Sequence, residues 1–375
     1  MKILHTVEFF APTIGGAERV MQRLSEGLAA RGHEVAVATS RLPGRRDETV
    51  NGVRIVSFEV SGNHARGMRG ELGRYQAWLR DHRFDVVLNY AAQSWPTDAA
   101  LPILRQIPGA RILATCGFSG MFGLRRVLYH GYFRMLAKHL RDYDGLIFHG
   151  RTGRDIEFGR RHGTGRQAVI PNGADGAEFD AAPRGFRDRY GIHSRYLLLH
   201  VGNHYLVKGH DDLIRIARAL RDLDVTLVII GEPGSGWRGC WAACEEAARG
   251  DERLRLLRGL PRAEVVAAFR EADVFLLASR FEAAPLVLVE AMAAGIPFVS
   301  YDVGNARELA GGIVVGWRRA MAEAVRDLLG DPARRHELGE RGREMQRHDL
   351  EWERLIDRYE AFYTALVGSK QPPHG

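Results

Sequence analysis

Short apolar runs alternate along this chain with longer stretches in which apolar positions recur at helical spacing. Runs of that kind fit strands buried on both faces, and the periodic stretches fit the helices that cover them. Lys2–Phe10 reads as a strand, Thr13-Ile14-Gly15-Gly16 as a turn and Ala17–Arg31 as a helix. Strands follow near His33–Ser40, Val53–Val60, Asp85–Tyr90, Arg111–Cys116, Gly145–His149 and Ala168–Ile170, with helices at Leu72–His82 and Phe122–Arg141. After the Pro- and Gly-bearing stretch Pro171–Arg195 the alternation starts again. Strands are expected at Tyr196–Gly202, Val225–Gly231, Leu254–Gly259, Asp273–Ala278, Pro297–Val303 and Gly312–Val315. Helices are expected at Asp211–Leu223, Cys240–Arg249, Ala263–Glu271, Pro285–Ala294 and Trp317–Leu329, and Pro332–Val367 is helical by pattern. The fold class is α/β: two Rossmann-like parallel-sheet domains, 1–178 and 179–354, with ligands expected at the carboxyl ends of the strands.

The 375 residues, 45% hydrophobic and 26% charged, suit a globular protein of two or three domains. The net charge of +7 suits an anionic partner where it is clustered. Scattered glycines and prolines exclude disorder and collagen-like repeats. Three cysteines do not make a disulfide framework. Cys240 and Cys244 stand one helical turn apart, with nothing adjacent in sequence to complete a metal site. MKILHTVEFF fails as a signal peptide, and the nearly uncharged run Ala283–Val299 is too short and too broken to cross a bilayer. A cytoplasmic protein is expected.

The sharpest local signal is Arg280-Phe281-Glu282-Ala283-Ala284-Pro285-Leu286-Val287-Leu288-Val289-Glu290-Ala291-Met292. It follows a strand, and Pro285 suits the first position of a helix, whose open N–H groups attract phosphate. Glu290 lies among Val, Leu, Ala and Met. Either it is a partly exposed helix carboxylate, or it is buried there and needs a partner, which the two hydroxyls of a ribose would supply.

This segment resembles the E-x7-E stretch of retaining glycosyltransferases with the GT-B fold, in the glycosyltransferase family 4 group. Further matches run in order along nearly the whole chain: Thr13-Ile14-Gly15-Gly16-Ala17-Glu18, Ile170-Pro171-Asn172-Gly173-Ala174-Asp175, Val201-Gly202 through Lys208-Gly209-His210, Asp302-Val303-Gly304 and Trp352. The resemblance implies that Glu290 binds the nucleotide ribose and Glu282 the hydroxyls of the donor sugar. Lys208 would neutralise the diphosphate leaving group, with help from backbone N–H groups around Ala284, Pro285 and Leu286 and from close approach at Gly15 and Gly16. It implies no metal and no cofactor beyond a nucleotide-diphosphate sugar, and a tail helix of about 355–370 packing back on the first domain.

Two positions depart from the family pattern. Asn203 stands where an arginine is usual, so Arg280 is the candidate second phosphate cation. Cys116 stands where a histidine is common and is expected to line the site at most. Gly234-Ser235-Gly236-Trp237-Arg238-Gly239 imitates a dinucleotide fingerprint, but the strand Leu254–Gly259 lacks the acidic residue that such a site needs. Asp142-Tyr143-Asp144 imitates a metal-binding pair. In Phe122–Arg141, the residues Arg126, His130, Arg134, Lys138 and Arg141 share one side, with Tyr129, Tyr132 and Phe133 at its margins. That side suits either solvent or an anionic membrane surface. No nucleic-acid module accompanies it.

The expected activity is transfer of a hexose-type sugar to a glycan or glycolipid acceptor held by the N-terminal domain, in cell-surface polysaccharide or glycolipid synthesis. A sugar-nucleotide epimerase of the same architecture and an inactive nucleotide-sugar-binding protein are the alternatives.

Overall fold

The computed structural model describes residues 1–13, 15–45, 48–119, 129–233 and 238–370, apart from the side chain at 238. It divides into two compact units, Met1–Asn172 with Trp352–Gly375, and Gly173–Glu351.

The first unit holds an eight-stranded sheet. Its strands are β1 (Lys2–Thr6), β2 (Glu34–Ser40), β3 (Thr49–Val50), β4 (Val53–Phe58), β7 (Val86–Tyr90), β8 (Ala110–Ala114), β9 (Gly145–Phe148) and β10 (Arg166–Val169), while β5 (Val60–Ser61) and β6 (Arg69–Gly70) pair separately. The order is β10-β9-β8-β7-β1-β2-β4-β3, parallel except for the edge hairpin β3–β4. Strands β1, β2, β7 and β9 are buried along nearly their whole length because helices cover both faces. Those helices include α1 (Gly16–Ala30), α2 (Leu72–Asp81), α3 (Trp95–Ala100), α4 (His130–His139) and α5 (Arg154–His162). The pattern gave no warning of α3, which is short and buried throughout; its Trp95 indole donates to Ser40 Oγ at 2.8 Å.

The second unit holds β11 (Tyr196–Val201), β12 (Val225–Ile230), β13 (Leu254–Leu257), β14 (Val274–Leu277), β15 (Phe298–Tyr301) and β16 (Gly312–Val315), in the order β13-β12-β11-β14-β15-β16 and all parallel. The order reverses direction between β11 and β14, which makes that pair the switch point where loops diverge and a crevice opens. Its helices are α6 (Gly176–Asp180), α7 (Phe186–Arg189), α8 (His210–Ala219), α9 (Arg238–Ala248), α10 (Arg262–Glu271), α11 (Leu286–Ala294), α12 (Arg318–Gly330) and α13 (Pro332–Asp349). Helix α11 is apolar on all sides except for Glu290 and accordingly lies in the core, with Leu288 to Ala294 buried. It ends at Gly295, whose φ of +71° is the left-handed conformation that glycine adopts without strain.

The unit boundary falls earlier than the expected 178/179. The Ala174 N–H donates to Leu350 O at 3.1 Å, and Glu351 accepts from Gly176 N, so the segment entering α6 is already built into the second unit. The same contacts interrupt the tail, which is two helices rather than one. The second of them, α14 (Trp352–Gly368), belongs to the first unit and starts at Trp352, not at 355. Arg31 meets Glu353, Asp357 and Glu360 along it, and Tyr363 reaches the buried His5 at 3.2 Å. Among the described residues no helix is long and apolar enough to cross a membrane.

Candidate functional site

The second unit gathers the expected residues at the switch point. Strand β11 runs out through Val201-Gly202-Asn203 into a turn, Leu206–Lys208, and Gly209 closes it at φ +69°. A side chain at Gly209 would collide with the carbonyl oxygen of Ala278, at the end of β14, so only glycine lets the turn lie this close. Arg280 N donates to Val207 O at 2.7 Å and ties the loop after β14 to the same turn. These backbone constraints bring Lys208 Nζ to 2.7 Å from Glu282 Oε1, with both side chains largely buried. Lys208 and Glu282 therefore form one ion pair between the loops of neighbouring strands.

Eight residues past Glu282, Glu290 is 4% exposed on the second turn of α11. No protein partner for this carboxylate is expected from sequence, and the structure supplies one: Arg262 Nη2 lies 2.7 Å from its Oε1. Arg262 also donates through Nε and Nη2 to the two oxygens of Glu178, both at 2.9 Å. Burial works against the Arg262 charge, but Glu290 and Glu178 outweigh it and hold its pKa above the ordinary value. No local pattern announces Arg262 or Glu178, because tertiary packing of α6, α10 and α11 brings Arg262 to Glu290 and Glu178 to Arg262.

Pro285 is the N-cap of α11, with ψ 107°, and helical dihedrals start at Leu286. It was expected one position inside. Pro285 has no side-chain acceptor with which to cap the helix, so the first-turn N–H groups of Leu286 and Val287 keep their attraction for an anion. Ala284 and Pro285 thus form the rim of that helix end.

Arg280 and Asn203 are engaged in the protein itself. The Arg280 guanidinium bonds Leu206 O at 2.8 Å and Asp211 at 2.7 and 2.8 Å, and Asp211 raises its pKa. Asn203 Oδ1 accepts from Glu232 N at 3.2 Å, linking the ends of β11 and β12.

Three histidines around Lys208 form a cluster that the sequence reading passed over, although His200, His204 and His210 stand close together in HVGNHYLVKGH. All three are buried. His200 Nδ1 pairs with Leu276 O at 2.8 Å, and burial lowers its pKa to about 4. Burial likewise lowers His204 to about 4 and His210 to about 2, so the cluster is neutral at physiological pH. Cys240 Sγ lies 3.6 Å from His210 Nδ1 and 3.9 Å from His204 Nδ1, separations that a small metal ion could bridge. The ring planes do not fit one, however. The two imidazoles stack at 4.1 Å with 11° between planes, and an ion in the plane of one lies far out of the plane of the other. The ligand atoms of His204, His210 and Cys240 all lie within 4.8 Å of one another, but in this arrangement the two rings stack.

In the first unit Gly15 is the N-cap of α1 in an extended conformation, and a Cβ there would strike the Glu18 carboxylate, which is folded over it. Gly16 has open space around its Cα. Burial raises the pKa of Glu18, and burial together with Glu18 raises that of Glu8. The carboxyl end of β1 is thus acidic as well as glycine-lined. Cys116, at φ +54°, packs its thiol 3.4 Å from His149 Nε2, and burial pushes it up to about 12. Asp142 pairs with Arg105 and His139, and Asp144 with Arg111 and Lys370, so each carboxylate of the D-x-D imitation already has basic partners.

The glycine-rich imitation at 234–237 and the residues Phe122 and Arg126 of the basic helix lie outside the described residues. Along α4, His130, Arg134 and Lys138 are exposed, and Arg141 beyond it also. Tyr132 and Phe133 are core residues rather than margins. Between α4 and α5 lies a groove of about 850 Å³ in which Arg134, Arg154, Arg161 and His162 surround Phe133 and Phe158.

Residues 14–178 match the model of the Glycosyltransferase Family 4 group, and residues 186–345 that of the Glycosyl transferases group 1. The glycogen synthase of Mycobacterium tuberculosis is 28% identical, the match covering 99% of this chain and 97% of that one. Sucrose-phosphate synthase from Thermosynechococcus elongatus superposes with a TM-score of 0.82 at 18% identity, covering 98% and 100% of the two chains. HepE of Anabaena, solved in complex with UDP-glucose, superposes with a TM-score of 0.78 at 14% identity over 97% and 100%.

Proposed function

Since the chain belongs to the group 1 and family 4 glycosyltransferases of GT-B fold, we propose that it transfers a sugar from a nucleoside diphosphate to an acceptor hydroxyl, with retention of anomeric configuration. The observation that carries the reading is the Lys208–Glu282 ion pair at the β11/β14 switch point, with the N-terminus of α11 beside it. Lys208 and the first-turn N–H groups of α11 then meet the diphosphate. As the glycosidic bond to phosphate breaks, negative charge accumulates on the leaving oxygen, and preorganised donors of this kind stabilise it. Glu282 takes the hydroxyls of the donor sugar, and Glu290 accepts from the ribose. HepE was crystallised with UDP-glucose, which supports a donor of this chemical class.

The N-terminal unit takes the acceptor, a glycan or glycolipid of cell-surface synthesis, and the exposed side of α4 favours an acceptor met at an anionic membrane on its cytoplasmic face. Lys208 and the α11 end supply the positive potential that a divalent metal supplies elsewhere. A thermal-shift screen of UDP- and GDP-sugars tests the reading: a ligand at 100 times its Kd adds about 2.7 kcal/mol of stability. Stabilisation by one nucleotide sugar is expected. No shift with any of them would overturn it.

A further inference from the structure

Arg262 is the first residue of α10, and its planar fork faces two carboxylates at once. The Nε and one Nη2 hydrogen engage Glu178 side-on, and Nη2 also reaches Glu290 Oε1. The guanidinium rests over the Phe179 ring at 5.4 Å. Helix α6, which carries Glu178 and Phe179, packs on both α10 and α11. Arg262 is thereby held on three sides, and its remaining freedom is taken by the Glu290 contact. An ionised carboxylate accepts several hydrogen bonds, so Glu290 can accept from Arg262 and from other donors together.

We propose that Arg262 is the positioning residue of the nucleotide site: it fixes the rotation of the Glu290 carboxylate for a ribose 2′,3′-diol, with Glu178 as its anchor. This rests on the reading of Glu290 as the ribose acceptor. A vicinal diol presents two O–H donors in fixed geometry, and a carboxylate free to rotate would meet both only part of the time. The fork of an arginine supplies that fixation; the point charge of a lysine keeps the charge but not the geometry. The expected consequence is discrimination between ribose and 2′-deoxyribose that depends on Arg262, although Arg262 itself need not touch the nucleotide.

Titration calorimetry of the full chain with UDP, GDP, their 2′-deoxy analogues and inorganic pyrophosphate tests this. Wild type should prefer the ribose form of its nucleotide by tenfold or more, the scale of a hydrogen bond to a charged group. Glu290→Gln should remove most of that preference; if the preference survives, the ribose reading fails, whatever Arg262 does. Given its loss in Glu290→Gln, Arg262→Met should lose it equally with pyrophosphate affinity unchanged. Arg262→Lys should keep a part, and Glu178→Gln should reduce it less than Arg262→Met. Full preference retained in a folded Arg262→Met would overturn the proposal. If that variant fails to fold, undiminished preference in Arg262→Lys and Glu178→Gln would overturn it equally.

Discussion

Lys208 Nζ stands 2.7 Å from Glu282 Oε1, and the pair joins two loops that leave neighbouring strands of one sheet. The cation assigned to the diphosphate and the carboxylate assigned to the sugar therefore hold each other. On the proposed reading, donor phosphate competes with Glu282 for Lys208 and exchanges part of this contact for contacts to substrate.

That exchange predicts opposite effects of two substitutions. Glu282→Gln should abolish transfer yet strengthen binding of the bare nucleoside diphosphate severalfold, because Lys208 no longer has a competing partner. Lys208→Ala should weaken binding and lower kcat by about 10²–10³, the range seen when one preorganised charge-stabilising donor is lost. Calorimetry with the nucleotide and turnover with the nucleotide sugar measure both. Weaker nucleotide binding in Glu282→Gln would show that the pair does not compete with the phosphate.

Transfer should persist in excess chelator. Asp142 and Asp144 are occupied by arginine, histidine and lysine partners, and the imidazoles of His204 and His210 beside Cys240 stack on one another rather than converging on one point. Activity lost in EDTA and restored by magnesium or manganese would contradict this.

The histidine cluster predicts an acid-sensitive second unit. His200 and His204 are held down to about 4 by burial, against about 6.5 when unfolded. The unfolded chain therefore binds more protons in this interval, and the stability these groups contribute above pH 6.5 is lost as pH falls towards 4. The raised carboxyls of Glu8, Glu18 and Asp98 act in the opposite sense, so a difference measurement isolates the cluster. Urea midpoints at pH 7 and pH 5 should converge in His204→Asn relative to wild type. An identical drop in both would remove the cluster from the account.

The exposed side of α4 predicts salt-sensitive attachment to anionic vesicles. Each basic residue near such a surface contributes about 1 kcal/mol, and the attraction fades over about 8 Å at physiological ionic strength. Co-sedimentation at low salt should be lost in Arg134→Glu/Lys138→Glu. Equal pelleting of that variant would place attachment elsewhere, and no pelleting of wild type would leave α4 facing solvent only.

The two parallel sheets were legible because fully buried strands read as plain apolar runs, and most strand boundaries moved by only a few residues. Helices α3, α5, α6 and α7 escaped, being short or dominated by charge. The tail break at Leu350-Glu351 escaped because its cause, the bond from Ala174, comes from a distant part of the chain. At the site, Glu282 and Glu290 were visible by spacing on one loop and helix. Their partners were visible only in part: Lys208 was a motif position, whereas Arg262 and Glu178 come from other elements. Arg280 shows the reverse, a residue whose type suited phosphate and whose surroundings, Asp211 above all, give it another partner.

The most direct test of a nucleotide-sugar site built around Glu290 is calorimetric titration of UDP and GDP into wild type and Glu290→Ala, with Glu290→Gln as the variant that disturbs Arg262 less. Wild type should bind one of the two nucleotides. Glu290→Ala should weaken that binding tenfold or more while circular dichroism shows the fold retained, and Glu290→Gln should fall between them because its amide still accepts a hydrogen bond without the charge. Equal affinity in all three proteins, or no binding of either nucleotide to wild type, would contradict the account.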